Sequence, residues 1–327
     1  MDNSGARSTG SARLTANLNL SSPLSLGDLF NANAMHTQGS DYLQLKWTLP
    51  VADDGWRIGA YLSNLSYKLV TAEFAALNGH GSSDNLGAEA SYPLLRSRLK
   101  NLYLNLNYDH KGFDNQSAGV TQSHYQTESG AIYLSGNLYD SMGLGGVYSA
   151  SVALITGHMA LGEINSGENA THNGNFGKFR YGFSRQQVIS DNISVYAGVS
   201  GQNANKRLDS SEKFYLGGSN GVRAYPGSEG GGSSANLFNL ELRDSLPYGF
   251  NLTGFFDMGH VINYDGSPSY TLKGSGAALA WQTSSGLNLK TTWARRIGSN
   301  PNPTANGNDQ DGTLIKNRFW LTINQQI

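Results

Sequence analysis

Leu43-Gln44-Leu45-Lys46-Trp47-Thr48-Leu49 carries an apolar side chain at every odd position and a polar one at every even position. Successive side chains of a strand point to opposite faces, so this period of two builds one apolar face and one polar face. The pattern returns along the chain. Leu102, Leu104, Leu106 and Tyr108 alternate with Tyr103, Asn105 and Asn107, and Phe238, Leu240 and Leu242 alternate with Asn239, Glu241 and Arg243. Leu287, Leu289 and Trp293 share one parity against Asn288, Lys290 and Thr292. Helical periodicity is nearly absent, as are capping boxes leading into apolar runs. Polar faces rich in Asn, Thr, Tyr and Lys are costly in a dry core without partners. They fit a wet lumen, and the opposite faces then fit lipid. The expected fold is all-β: a transmembrane antiparallel β-barrel.

Composition agrees with strands that have one apolar and one neutral polar face. Only 14% of the 327 residues are charged and the formal net charge is -1, against roughly a quarter charged in ordinary soluble domains. The chain is not greasy either, with a mean hydropathy of -0.39. With no cysteine, disulfides and thiolate metal sites are excluded. No apolar run approaches the roughly 18 residues of a membrane helix. The opening Met-Asp-Asn-Ser-Gly lacks the basic region and apolar core of a signal peptide, so a membrane reading expects the leader to lie outside this sequence. Near-zero net charge gives no support to a nucleic-acid partner.

The connections alternate in length. Tight turns fall at 22–28, 50–55, 92–97, 139–143, 189–192, 246–249 and 283–286, and longer polar loops at 70–85, 110–126, 161–177, 207–235 and 297–312. One rim of tight turns and one of long loops is the asymmetry of outer-membrane barrels. Counted this way the chain has about fifteen strands, whereas single-chain bacterial barrels normally have an even number. An open sheet would leave edges exposed in lipid. A first strand ahead of Asp2 is therefore expected.

One loop and one strand stand out. Gly221-Val222-Arg223-Ala224-Tyr225-Pro226 lies in the loop at 207–235, and Phe255-Phe256-Asp257-Met258-Gly259 lies in a strand. Leu252, Phe256 and Met258 take the lipid parity, so Phe255, Asp257 and Gly259 take the lumen parity. Glu241 and Arg243 point inward from the neighbouring strand across the turn at 246–249. A loop arginine entering the lumen can form a bidentate pair with Asp257. Phe255 would wall that pair and Gly259 would leave it space. Tyr225-Pro226 would stiffen the tip, and the glycines at 230–232 would let the stem bend. In a wet lumen such a pair contributes about 1 kcal/mol; in a shielded one, losing a partner costs roughly 3–5 kcal/mol. On the residues alone, Arg223 reads more readily as a surface-loop arginine and Asp257 as a solvated lumen carboxylate.

Other candidates carry less. The seven histidines show no metal-ligand spacing. Gly143-Leu144-Gly145-Gly146 is too short for a nucleotide fingerprint and no helix pattern follows it. There is no nucleophile elbow and no convincing Ser/His/Asp set. Lys46, Lys290 and Arg296 either line a cationic path or pair with lumen carboxylates. Trp47, Trp56, Trp293, Trp320 and many tyrosines fall near predicted strand ends, where interface girdles place aromatic residues.

Several stretches together resemble one family. Asp2 to Gly10 followed by Pro23-Leu24-Ser25-Leu26-Gly27-Asp28 is similar to the barrel start of TpsB transporters, the hemolysin-activator outer-membrane proteins of two-partner secretion. Ser91-Tyr92-Pro93-Leu94 leading into Asn101-Leu102 resembles another family stretch. The loop at 221–226 resembles the family's V-R-G-Y-P signature, and 255–259 its F-x-D-x-G strand motif. Two positions depart from the pattern. Ala224 stands where the family has glycine, and would be strained if that position needs positive φ. Ile327 ends the sequence where such barrels more usually end in an aromatic residue.

The resemblance implies a sixteen-stranded barrel in the outer membrane of a Gram-negative bacterium. It implies export of a large TpsA-type exoprotein in unfolded form, with no cofactor and no catalysis, through a monomeric barrel in contact with outer-membrane lipid. It implies that the long loop folds inward and that its arginine, here Arg223, locks to the strand aspartate, here Asp257. A charge swap of the two would then restore what single reversals abolish. Family members also carry a plug helix and two POTRA domains ahead of the barrel, which this sequence is expected to lack; a barrel without them is not expected to secrete by itself. The alternatives are a passive small-solute porin, which would favour an open charged constriction over a Gly-rich inward loop, and a β-solenoid adhesin, which would show a fixed repeat.

Overall fold

The computed structural model describes residues 1–51, 53–165, 169–263 and 268–326. The C-terminal Ile327, singled out above, lies outside the described residues. The strands are β1 (Leu14–Ser21), β2 (Leu29–His36), β3 (Ser40–Pro50), β4 (Arg57–Lys68), β5 (His80–Arg96), β6 (Lys100–Ser117), β7 (Val120–Asp140) and β8 (Gly146–Asn165). They continue as β9 (Gly174–Val188), β10 (Ile193–Ala204), β11 (Ser234–Ser245), β12 (Phe250–Ile262), β13 (Tyr270–Gln282), β14 (Leu287–Arg296) and β15 (Asn317–Gln325). All fifteen join in one antiparallel sheet, each strand hydrogen-bonded to its sequence neighbours in unbroken order.

The two end strands approach each other through residues 1–3. Asp2 bridges to Thr322 of β15 on one side and to Arg13, just ahead of β1, on the other. The Met1 ammonium donates to the Ile323 carbonyl at 2.8 Å and the Ile323 amide donates back to Met1. Arg13 adds an ion pair to Asp2 at 3.1 Å. Among the described strands, β1 pairs only with β2 and β15 only with β14.

Facing follows the alternation read from the sequence. Leu43, Leu62, Leu86, Ile132, Leu154, Leu242, Leu252 and Phe319 are exposed on the outside. Turning such a row to water forgoes about 1.5–3 kcal/mol per side chain, so lipid is the solvent that this face suits. In β12, Phe255, Asp257, Gly259 and Val261 are buried while Leu252 and Met258 are exposed, which sets the lumen parity. No helix among the described residues is long and apolar enough to cross a membrane.

The segment at 110–126, expected as a polar loop, is instead a strand hairpin. There β6 and β7 run on as a ladder, joined only by Ala118-Gly119, with φ of 52° and 76°. Positive φ at both central positions is the geometry of a tight hairpin turn. The misreading has a physical cause. Above the lipid belt the outward face no longer needs apolar side chains, so the alternation disappears although the strands continue. Paired polar residues replace it on the outside, His124 with Asp114 and His110 with Glu128 at 3.3 Å, while Asn115 donates to Ser123 at 2.9 Å on the inner face. Phe113 and Tyr125 stack inside the same hairpin at 4.6 Å. The same effect shortens the loops at 70–85 and 161–177, because β5 begins at His80, β8 extends to Asn165 and β9 begins at Gly174.

Candidate functional site

The connection between β10 and β11, residues 205–233, contains the motif at 222–226. Its two arms pair with each other, with Phe214 and Gly232 exchanging both backbone hydrogen bonds at 2.8 and 3.0 Å. The tip is knit by its own backbone: the Val222 amide donates to Leu216, Tyr225 to Val222 and Gly218 to Tyr225. Leu216, Val222, Ala224 and Tyr225 are fully buried and form one apolar cluster with Ala235, Leu237, Phe255, Val261, Leu272 and Ala294. The second group comes from the inner faces of β11 to β14, so the tip occupies the lumen beside these strands.

Arg223 meets Asp257 there. Its Nε donates to Asp257 Oδ2 at 2.8 Å, its Nη2 to Oδ1 at 2.7 Å, and its backbone amide to Oδ2 at 3.1 Å. The two side chains are 6% and 0% exposed. The third guanidinium nitrogen, Nη1, reaches Glu241 Oε1 at 2.8 Å. Phe255 lies under the guanidinium plane, 3.5 Å from ring centroid to Cζ. Burial works against the Arg223 charge, but the Asp257 and Glu241 carboxylates outweigh it and hold the guanidinium's pKa above its ordinary value. Glu241 is shared with Arg243 at 2.6 Å, and Arg243 in turn donates to Gln186 at 2.8 Å.

Register explains how these groups converge. Asn239 stands opposite Asp257 and Glu241 opposite Phe255 in the β11–β12 pair. Period two keeps Asn239, Glu241 and Arg243 on the lumen face together. Asn239 donates to Asp257 Oδ1 at 2.7 Å and to the Gly221 carbonyl at 3.3 Å, tying strand, aspartate and loop.

Close approach of the loop depends on missing Cβ atoms. A Cβ on Gly259 would meet Leu216 at 2.9 Å and Val222 at 3.0 Å; one on Gly274 would meet the Ala224 Cβ at 2.6 Å. Ala224 itself does not have positive φ. The strain expected there from its departure from glycine is therefore absent, and its methyl is accommodated by Gly274 across the contact. Of the stem glycines, Gly230 takes a left-handed φ of 68°. Tyr225 lies under the Arg296 guanidinium at 4.3 Å.

Further members join the site. Trp320, expected in an interface girdle, is turned the other way: it is 8% exposed and its indole N–H donates to the Arg223 carbonyl at 2.8 Å. Its neighbours Phe319 and Leu321 are exposed, so strand parity alone was enough to place Trp320 inward. At the loop's entry arm Glu212 sits between Lys178 and Lys111, and the Gln202 amide donates to its carbonyl at 3.0 Å. The two lysines hold the Glu212 carboxyl below the usual carboxylate range although burial pushes it upward. Asp209 accepts from the Tyr125 hydroxyl at 2.9 Å. Lys46 pairs with Glu89 at 2.6 Å, and Arg296 pairs with Asp309. No group of three or more His, Cys, Asp or Glu suited to a metal ion occurs among the described residues.

The double contact of Arg223 changes the meaning of a charge swap. Exchanging the charges of residues 223 and 257 would leave a carboxylate at 223 facing Glu241. Like charges at contact distance repel, so the swap by itself does not recreate the present arrangement.

A family model described as haemolysin secretion/activation protein ShlB/FhaC/HecB matches residues 1–281. The heme/hemopexin transporter protein HuxB of Haemophilus influenzae is 24% identical over 99% of this chain. The chain spans 58% of the length of that relative. Among solved structures, CdiB from Escherichia coli matches with a TM-score of 0.82 at 19% identity, covering 98% of this chain and 61% of its own. CdiB from Acinetobacter baumannii matches at 0.77 and 17%, covering 98% and 58%. BamA from Haemophilus ducreyi lacking POTRA domains 1–3 matches at 0.64 and 15%, covering 97% and 68%.

Proposed function

The chain belongs to the haemolysin secretion/activation protein ShlB/FhaC/HecB family of Gram-negative outer-membrane β-barrels, and from that premise we propose that it is the pore through which a secreted partner protein crosses the outer membrane. The exported chain passes in unfolded form. The barrel acts as a monomer in outer-membrane lipid, without a cofactor. The loop at 205–233 is its plug, and Arg223 paired to Asp257 is the lock that seats it.

The observation that carries this reading is the burial of the lock. With both side chains withdrawn from water, the pair falls in the shielded regime, where losing one partner costs roughly 3–5 kcal/mol. That is a shift of about 10²-fold or more in the balance between seated and unseated loop. A passive porin would favour an open charged constriction over a loop packed against the inner faces of β11 to β14. The family is described by haemolysin secretion; by analogy the cargo here is an exoprotein.

Site-directed photocross-linking tests the route. A photoreactive residue at Lys290, on the lumen parity of β14, should capture the exoprotein during secretion by the full transporter. The same group at Leu279, exposed on the outside of β13, should not. Adducts at neither position while secretion proceeds would rule out passage through this lumen.

A further inference from the structure

The plug loop has a second ionic seat, on its return arm, built with the connection between β14 and β15, residues 297–316. Glu229 is fully buried. Its Oε2 accepts from the Gln310 backbone amide at 2.8 Å and its Oε1 from the Asn300 side-chain amide at 3.1 Å. Asn300 uses the same nitrogen to donate to Asp309 Oδ1 at 2.9 Å. Asp309, also fully buried, pairs with Arg296 and with Arg318 at 3.5 Å. Arg296 then returns to the plug by stacking on Tyr225. The circuit Tyr225–Arg296–Asp309–Asn300–Glu229 thus leaves the plug at one residue and re-enters it four residues later.

We propose that Glu229 is a second positioning residue of the plug, which keys it to the outer loop 297–316 so that plug and outer loop move as one body. Three facts favour this over incidental packing. Both donors to Glu229 come from the outer loop, so the carboxylate loses both when that loop lifts. Both donors are neutral, unlike the guanidinium that holds Asp257, so the seat is one that separation and rehydration can undo. Arg296 and Arg318 are engaged by Asp309 and Asp311, which leaves Glu229 as the excess negative charge of the cluster. Burial accordingly pushes its carboxyl above the usual carboxylate range. An exported chain therefore passes only after the outer loop has shifted, and a ligand holding that loop down from outside would hold the plug closed.

The inference rests on the plug reading, and bilayer conductance of the intact chain separates the two. Glu229→Ala and Asn300→Leu should each raise the open probability roughly ten- to a hundredfold, the range for losing a hydrogen bond to a charged group. Their combination should add less than the sum of the two, because both remove the Glu229–Asn300 contact. Glu229→Gln, which keeps an acceptor for the Gln310 amide, should recover part of the closed state. If Glu229→Ala fails to fold, as judged by heat-modifiable mobility, Gln310→Pro deletes one donor and leaves the carboxylate in place. Wild-type gating in Glu229→Ala and Asn300→Leu, alongside open channels in Arg223→Ala, would overturn the coupling and leave the plug reading intact. Opening by Glu229→Ala with none by Arg223→Ala would support the coupling and remove the Arg223 lock. Wild-type gating in all three would overturn both.

Discussion

Arg223 is held by two carboxylates, and the consequences are specific at the residue scale. The double variant Arg223→Asp/Asp257→Arg should remain defective in seating the plug, because the new Asp faces Glu241. Adding Glu241→Gln should recover closure, read as open probability in planar bilayers; full recovery by the double variant alone would mean that Glu241 takes no part. The Ala224–Gly274 contact gives a second test. Gly274→Ala should weaken the seated loop by about 1–3 kcal/mol through overpacking, and Ala224→Gly should restore it by removing the opposing Cβ; protease protection of the loop reports both. The sequence made Arg223, Asp257, Glu241 and Arg243 legible through strand parity and motif. It did not reveal Asn239 as a bridge, Trp320 as a donor to the loop, or the circuit through Asn300 and Asp309. Those contacts join residues far apart in the chain: the Trp320 bond spans 97 positions and the Glu229–Asn300 bond 71. Only the assembled sheet and the folded loop bring them together.

At the scale of elements, legibility tracked the solvent. Where a strand runs through lipid, one face must be apolar, and the alternation in β3, β6, β11 and β14 could be read directly. Where the hairpin of β6 and β7 rises above the lipid, the outward face turns polar and the signal vanishes, though the hydrogen-bond ladder continues to Ser117 and Val120. The turn there was a weak signal, since Ala118 is an unusual occupant of a left-handed position. Ala118 at φ 52° carries a cost of roughly 1–2 kcal/mol that glycine avoids. Ala118→Gly should therefore stabilise the hairpin by about 1 kcal/mol, measured by urea titration of the folded barrel in vesicles. A destabilisation would show that the alanine methyl contributes packing that outweighs the backbone strain.

For the whole molecule, the exterior is a continuous belt of exposed leucine, isoleucine and phenylalanine, while the main buried apolar cluster lies inside the barrel and is shared between wall and loop. This inverts the plan of a water-soluble β-protein, in which strands bury their apolar faces against each other. It also makes the loop part of the main lumen-side core, so plug and wall stabilise one another. The central claim is that this loop closes a pore wide enough for an unfolded chain. Single-channel conductance of the chain in planar bilayers, with and without residues 221–232, tests it most directly. The wild-type channel should be closed most of the time and the deletion variant stably open with larger conductance. An intact chain with the same steady, large conductance as the deletion would contradict it and leave a passive solute channel.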